Sequence, residues 1–362
     1  MRCFHLFHGR GTRLSVLSVA AGALVSIAAA SMVSAVQAGV VNLGSFSGEF
    51  VTVGDPGNTA DSTNFGAVSQ TFDIMKFEFT NQQYVQFLNS VDANGTNPNE
   101  IYNALMGTDA RGGISFTSGN SAGTKYAVRT NMGNKPVIFV NWFDAARVSN
   151  WLHNGATSTS SMETGAYNLN NATLGNPVAK IAGARFFIPS ENQWYKAAYY
   201  RGGGTNAGYW AYATQSSTLP TSVTAGGTGD GSAGNSGNFA NYNNAADWGS
   251  PLQNGNVTTV GTNGGPSAYG AFDMSGNVWE WNDLNSSSSG SRGFRGGSWF
   301  GGSGELSSSA RLNDFGPSSE GFNVGFRVAS LSSDAAIPEP SMMVIGMVFG
   351  LGGLAAKRRL KK

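Results

Sequence analysis

The chain has 362 residues, 22 Lys and Arg against 21 Asp and Glu, one cysteine and three histidines. Cys3, His5 and His8 lie near the N-terminus, so the rest of the chain holds one imidazole, His153, and no thiol. A facial-triad iron site needs two histidines, catalytic zinc is usually bound by two or three nitrogen or sulfur ligands, and thiolate catalysis needs a cysteine. Beyond the first residues, the composition therefore excludes these three kinds of site.

The N-terminus predicts an export signal. Three arginines precede a nearly uncharged apolar run from Leu14 to Ala30, and small residues follow. This order is typical of a secretory signal peptide, with cleavage after Ala38. We assign residues 1–38 to a signal peptide; a retained membrane anchor is the alternative.

Residues 39–334 carry short apolar runs and three helical patterns, which predict a single α+β domain with much irregular chain. In chain order we predict strands at 50–53 and 71–75, a helix after Thr80, a strand at 137–140, a helix from Asn141 to His153, a strand at 185–188, a helix after Ser190, and strands at 257–260 and 325–329.

Each predicted helix begins at a capping residue. Thr80 with Gln83 and Ser190 with Gln193 form capping boxes, in which two backbone N–H groups are satisfied reciprocally. Asn141 is a suitable N-cap for the middle helix.

Two segments rich in glycine, asparagine and serine, residues 202–237 and 282–291, predict long surface loops. Each segment is interpreted either as a flexible insertion or as a variable loop that faces a ligand.

The C-terminus predicts a sorting signal over residues 335–362. Pro338-Glu339-Pro340 precedes an apolar run, 341–356, and five basic residues. Sixteen apolar residues are slightly fewer than the ~20 of an ordinary membrane span, and the cations favour a cytoplasmic end. The three parts resemble the PEP-CTERM signal of Gram-negative bacteria. The resemblance implies an exosortase as partner, cleavage near the tripeptide at the inner membrane, and delivery to the cell surface or the extracellular matrix.

Removing both signals changes the charge. Without three N-terminal and five C-terminal cations and Glu339, 14 basic and 20 acidic residues remain, a net charge near −6. A mildly acidic surface argues against nucleic acid as a partner.

Three segments carry a further resemblance. They are Phe-Ile-Pro-Ser-Glu-Asn-Gln-Trp-Tyr-Lys-Ala-Ala at 187–198, Tyr-Gly-Ala-Phe-Asp-Met-Ser-Gly-Asn-Val-Trp-Glu-Trp at 269–281, and Phe-Arg-Gly-Gly-Ser-Trp at 294–299 with Ala-Arg at 310–311 and Gly-Phe-Arg-Val-Ala at 325–329. In this order they resemble the formylglycine-generating enzyme, or sulfatase-modifying factor, family, as it occurs in PEP-CTERM-anchored proteins that are similar to non-haem iron enzymes. The resemblance covers most of 45–330 and implies a loop-rich C-type-lectin-like α+β fold.

The resemblance also bears on catalysis. It implies that active members bind copper through two cysteines and oxidise a substrate cysteine. The matching positions here are Gly301 and Leu306, so both thiols are absent. We therefore predict no catalytic residue and expect neither copper nor iron.

A calcium site is the metal centre that the resemblance implies for this chain. Its ligands would be the side chains of Asp273 and Glu280 and the carbonyls of Gly276 and Val278. Calcium prefers six to eight oxygens, which carboxylates and carbonyls of a glycine turn supply. Ordinary turn and strand residues are the alternative. A second implied site uses Asn241 and Tyr242, with Asp247 as the best further ligand.

Several large residues in these segments have two interpretations. Trp279 and Trp281 are candidates for ligand stacking, but large aromatics beside a glycine turn favour the core. Arg295, Arg311 and Arg327 are candidates for anion binding, but pairing with buried acids is favoured.

We therefore predict a secreted, surface-sorted, calcium-stabilised binding or structural protein of the cell envelope or exopolysaccharide matrix rather than an enzyme. Its ligand, an exopolysaccharide or a surface peptide, would meet the loops at 301–309 and 202–237. The alternative is an oxidoreductase of the same family with an unrecognised metal site.

Overall fold

The computed structural model describes residues 39–249, 253–283 and 290–332, which all belong to one compact unit. The predicted signal peptide, 1–38, and the predicted sorting signal, 335–362, lie outside these ranges. Within the described ranges, no helix combines the length and the apolar character needed to cross a membrane.

Thirteen short strands and four α-helices alternate along the described part of the chain. The helices are α1 Asn81–Val91, α2 Leu105–Thr108, α3 Trp142–His153 and α4 Glu191–Tyr199. The strands are β1 Gly39–Leu43, β2 Phe46–Val53, β3 Phe72–Met75, β4 Ile114–Phe116, β5 Tyr126–Val128, β6 Phe186–Phe187, β7 Thr221–Ser222, β8 Phe239–Ala240, β9 Trp279–Asn282, β10 Arg292–Arg295, β11 Leu312–Phe315, β12 Val324–Gly325 and β13 Ala329–Leu331.

Two sheets organise these strands. The larger has the order β1-β2-β3-β13-β6 and is antiparallel throughout, so the last strand of the described chain pairs with β3 near its start. The smaller has the order β11-β10-β9-β12, in which β12 runs parallel to β9. The mixed, loop-rich α+β architecture predicted from the sequence is confirmed.

All three predicted helices form at their predicted caps. Thr80 and Ser190 close the capping boxes expected with Gln83 and Gln193. At α3 the sequence reasoning missed that Asp144 completes a third box with Asn141. Eleven of the twelve residues of α3 are buried, so this helix lies inside the core rather than on it.

The strand predictions at 137–140 and 257–260 are wrong. Both runs are mostly buried, but their backbone groups bond outside any strand ladder: the Val137 N–H donates to Phe79 O and the Thr258 N–H donates to the Asn277 side chain. A positive φ of 60° at Phe139 also breaks the extended conformation. The predicted strands 185–188 and 325–329 are shorter or interrupted, as β6 and as the pair β12 and β13.

The predicted loop at 202–237 is largely irregular, apart from β7 and isolated bridges. β7 pairs in parallel with β8 and ties the loop to the chain that enters the predicted second calcium site. The other predicted loop, 282–291, begins inside β9, and its residues 284–289 lie outside the described ranges.

Candidate functional site

The neighbouring strands β9 and β10 place two of the segments that resemble the family, 269–281 and 294–299, beside α4. Trp279 and Trp281 are 5% and 0% exposed, which confirms them as core residues. The Trp281 indole donates to Val140 O at 3.1 Å, and its ring centroid lies 4.1 Å from that of Phe294. These rings therefore support the site from within and are not available for ligand stacking.

Two arginines bind the same buried carboxylate at the start of α4. Arg295 donates twice to Glu191 Oε1, at 2.9 and 2.7 Å, and Arg311 donates to both Glu191 oxygens at 2.6 and 2.8 Å. Glu191 also lies in the first turn of its helix, where negative charge is favoured. The expectation that these arginines pair with buried acids is confirmed.

Arg327 pairs with Glu280 in the same way, in a fully buried position. Its Nε and Nη2 each lie 2.6 Å from a Glu280 oxygen, and the Trp194 indole donates to Glu280 Oε2 at 2.8 Å. Asp273 is also nearby, so Glu280 is part of a larger buried charge cluster.

Glu78 is the third carboxylate of that cluster, and the sequence reasoning assigned it no role. It accepts hydrogen bonds from the Asn277 side chain at 2.6 Å and from the Val278 N–H at 3.2 Å. Burial, together with the charges of Asp273 and Glu280, raises the pKa of Glu78 well above its usual range. Three buried carboxylates thus face one guanidinium, an excess of negative charge that a proton or a cation would relieve.

The structure brings the two predicted calcium ligand sets together. Asp273, Gly276 and Asn277 all have positive φ, of 57°, 90° and 61°, and form the predicted glycine turn. A Cβ at Gly276 would lie 2.4 Å from Asn241 O, and the Asn277 N–H donates to that oxygen at 2.8 Å. Only glycine permits this approach of the two segments.

The carboxylates of the first set already have donors. Asp273 accepts from the Gly261 N–H and, at 2.9 Å, from the Asn263 amide, while burial raises its pKa. Glu280 is bonded to Arg327 as described. Calcium at this set would therefore share its carboxylates with existing donors and would use the carbonyls of Gly276 and Val278.

The second set contains an unsatisfied oxygen. Asn241 Oδ1 is buried without a hydrogen-bond partner among the described residues, whereas its Nδ2 faces three oxygens, on Asn256, Thr258 and Asn277. Leaving such an oxygen unpaired costs about 1–3 kcal/mol, which a cation would recover. The Tyr242 hydroxyl donates to Pro220 O, so only the backbone carbonyl of Tyr242 is a suitable ligand.

Asp247 is placed differently from the rest of that set. Its Oδ1 accepts from the N–H groups of Gln253 and Asn254, both at 2.9 Å, and orders the turn there. Within residues 39–249, 253–283 and 290–332, no group of three or more His, Cys, Asp and Glu side chains is arranged to hold a metal ion. Calcium would thus need amide and carbonyl oxygens in addition to the carboxylates of the first set.

Gly301 and Leu306 lie at either end of a short turn that contains a 3₁₀ helix, Ser303–Leu306. A Cβ at Gly301 would lie 1.7 Å from Glu305 Oε2, so the Glu305 carboxylate fills the space beside Gly301. Leu306 is fully buried against Ala240 and Tyr242. A carboxylate and an aliphatic side chain therefore occupy the positions where the resemblance implies two thiols.

Polar atoms around that turn lack partners. Glu305 Oε2, Trp299 Nε1 and Asn244 Oδ1 are buried and make no hydrogen bond to the described residues, and burial raises the pKa of Glu305. Asn244 lies against the turn, since its N–H donates to Trp299 O at 2.8 Å. The exposed rings of Phe300 and Phe322 cover the Trp299 side.

A cavity of about 480 Å³ opens where the two loops expected to face a ligand meet. It is lined by segments at 59–62 and 208–211 together with Asn206, Ser217 and Ser308. The Ser308 N–H donates to Ala211 O at 2.8 Å and joins the two loops at the cavity wall.

Comparison with known proteins gives one family match over most of the chain. Residues 26–331 match the family described as the sulfatase-modifying factor enzyme 1-like domain. No curated protein matches the chain.

Several solved structures match most of this chain at low sequence identity. Treponema denticola variable protein 1 is 17% identical, with 81% of this chain and 99% of that chain covered and a TM-score of 0.48. CarF is 20% identical, with 79% and 99% covered and a TM-score of 0.46. PvdO from Pseudomonas aeruginosa is 18% identical, with 82% and 98% covered and a TM-score of 0.43.

Proposed function

Because the chain belongs to the sulfatase-modifying factor enzyme 1-like family, we propose that it uses the family scaffold as a binding or structural protein without cysteine-dependent oxidation. The observation that carries this proposal is the pair Gly301 and Leu306. Neither residue offers a thiolate, and the surrounding space is filled by Glu305 and by the side chain of Leu306 itself.

Calcium is the metal that we propose for this protein, in a structural role. Two features support it: the excess negative charge of Glu78, Asp273 and Glu280 over Arg327, and the unpaired Asn241 Oδ1. Asp273, Glu280 and the carbonyls of Gly276 and Val278 would hold one ion, and Asn241 with the carbonyl of Tyr242 would contribute to another. Bound calcium would stabilise the turn that joins these segments.

The cell surface is the proposed location, after passage through the inner membrane and processing by an exosortase. The two predicted terminal signals support this, and so does the near −6 charge of the part between them. The partner would be a component of the exopolysaccharide matrix or a surface peptide.

A metal analysis tests the proposal directly. Residues 39–334, purified without chelator, should contain one or two calcium ions per chain by inductively coupled plasma mass spectrometry, and should consume no oxygen with thiol substrates. Stoichiometric copper or iron, or oxygen consumption, would replace the proposal with the oxidoreductase alternative.

The variant Gly301→Cys/Leu306→Cys/Glu305→Ala sharpens the distinction. Glu305→Ala is included because its carboxylate occupies the space that a side chain at 301 would enter. Copper binding by this variant alone would mean that the chain keeps the shape of an oxidase site and has lost only its thiols.

A further inference from the structure

The cavity of about 480 Å³ has the size of a small-molecule site, since ligand pockets commonly measure about 300–1,000 Å³. It lies outside both predicted calcium ligand sets and beyond the turn from Gly301 to Leu306. Its lining residues come from three separate parts of the chain, 59–62, 206–217 and Ser308, so the site exists only in the folded chain.

The aromatic wall of the cavity is held in place by its own contacts. The Tyr209 hydroxyl donates to Thr59 O at 2.7 Å and accepts from the Asn58 amide at 2.8 Å. The Trp210 N–H donates to Tyr199 O at 2.8 Å, and the Arg201 guanidinium lies 4.2 Å from the centroid of the Trp210 ring. A ligand therefore meets a preorganised wall, which lowers the entropic cost of binding.

Asp61 is the charged residue in the lining, and both of its carboxylate oxygens accept hydrogen bonds. Its Oδ1 accepts from the Thr63 N–H at 2.7 Å and from the Thr63 hydroxyl, and its Oδ2 accepts from the Tyr195 hydroxyl. Neutral donors do not cancel this negative charge, but the Arg201 guanidinium beside Trp210 adds one positive charge to the same wall, so the charges of the wall balance. The cavity therefore favours a neutral ligand.

Hydrogen-bonding side chains around the cavity remain available. Ser62, Asn206 and Ser217 are exposed, and their side chains make no hydrogen bond to the described residues. By contrast, backbone groups of the wall are in use: Gly208 O accepts from the Arg201 N–H and Ala211 O accepts from the Ser308 N–H. Recognition through side chains suits a polyhydroxylated ligand better than an extended peptide that adds to a sheet through its backbone groups.

We propose that this cavity binds a neutral saccharide, with a sugar ring packed against Trp210 and hydroxyls bonded to Asn206 and the two serines. A sugar ring combines an apolar C–H face with a rim of hydroxyls, which matches an aromatic wall surrounded by hydroxyl and amide groups. The inference rests on the proposed binding function and names its ligand class.

Isothermal titration of the full-length chain in detergent micelles tests the inference with glucose, galactose, mannose, cellobiose and maltose, and with glucuronic acid and glucosamine as charged counterparts. At least one neutral sugar should saturate the protein. Trp210→Ala should weaken that binding at least tenfold, Trp210→Phe by less, and Asn206→Ala should weaken it severalfold. Phe300→Ala, which removes an exposed ring outside the lining, should leave the affinity unchanged.

The inference is overturned if no neutral sugar binds at millimolar concentration, if a charged sugar binds more tightly, or if Trp210→Ala and Asn206→Ala bind as the unaltered chain does. Asn206 is exposed, so its variant keeps the test valid if Trp210→Ala does not fold. Binding of a peptide that Trp210→Ala abolishes would reject the saccharide but keep the binding role. Calcium content and oxygen consumption report on the proposed function separately.

Discussion

Two neighbouring regions of this protein differ in how fully their buried polar atoms are hydrogen-bonded. In the ion-pair core, formed by Glu191 and Glu280 with Arg295, Arg311 and Arg327, every guanidinium nitrogen of Arg295 and Arg327 donates a hydrogen bond. In the 299–309 segment, which follows β10, buried polar atoms of Trp299 and Glu305 have no partner among the described residues.

The contrast distinguishes residues that stabilise the fold through buried ion pairs from a segment with unpaired polar side chains. Breaking one buried ion pair strands a charge, so the core tolerates little change. The 299–309 segment is held mainly through its backbone: Arg295 Nη1 donates to Ser308 O at 3.0 Å and the Asn243 N–H donates to Gly301 O at 2.8 Å. Its unpaired atoms belong to side chains. The buried ion pairs involve neither Gly301 nor Leu306.

The largest effect is expected from Arg327→Met, which breaks the core directly. Glu280, Glu78 and Asp273 would then be buried without a cation, and removing one partner of a buried pair costs about 3–5 kcal/mol. Urea unfolding followed by fluorescence measures this loss. Lys76→Met removes the half-exposed pair with Glu49 and should cost at most about 1 kcal/mol. Equal losses of unfolding free energy in the two variants would contradict the prediction that the buried ion pair contributes more than the half-exposed one.

Leu306→Ala tests how much the 299–309 segment contributes to the stability of the fold. Leu306 is fully buried, and truncating a buried leucine costs about 2–5 kcal/mol. Leu306→Met conserves volume and should cost less than about 1.5 kcal/mol in the same unfolding experiment. A negligible cost for Leu306→Ala would mean that the whole segment is dispensable for folding.

Lys196 provides a pH-dependent test within α4, the helix that carries Glu191. Its ammonium is buried and donates to the Asp55 backbone oxygen, and burial lowers its pKa to about 8. Since the pKa of an unfolded lysine is higher, near 10.4, the unfolded chain binds more protons between the two values and stability rises with pH there.

The measurement compares this chain with Lys196→Met from pH 7 to pH 10.5. Relative to that variant, the unaltered chain should gain about 1–3 kcal/mol of unfolding free energy across the window. A difference that stays constant with pH would show that Lys196 keeps an ordinary pKa in the fold.

Gly301→Ala should have the smallest effect. The added Cβ meets only the end of the Glu305 side chain, which can rotate towards solvent, so we expect a cost below about 1 kcal/mol. Gly297→Ala is the matched control, because Gly297 has a φ of 78° and its Cβ would meet the Glu305 backbone. Thermal unfolding that ranks Gly301→Ala above Gly297→Ala in cost would contradict this assignment.

Local patterns made much of the fold predictable. The three helix starts follow from a capping side chain and its partner three residues later, and each forms where it was predicted. Burial of Trp279 and Trp281 and the pairing of the arginines with acids were also predicted correctly. The strands at 137–140 and 257–260 failed because an apolar run indicates burial without indicating which backbone it pairs with.

The amino-acid sequence by itself determined the caps, the residues of the core and the absence of thiols at 301 and 306, since these depend on residue identity and short-range geometry. Tertiary structure alone decided that Glu78 reaches Asn277, 199 residues away, that Glu305 fills the space beside Gly301, and that Trp210 and residues 59–62 line one cavity. The reason is physical: hydrogen bonds within one turn are specified by a few residues, whereas groups far apart in the chain become partners only through the packing of everything between them.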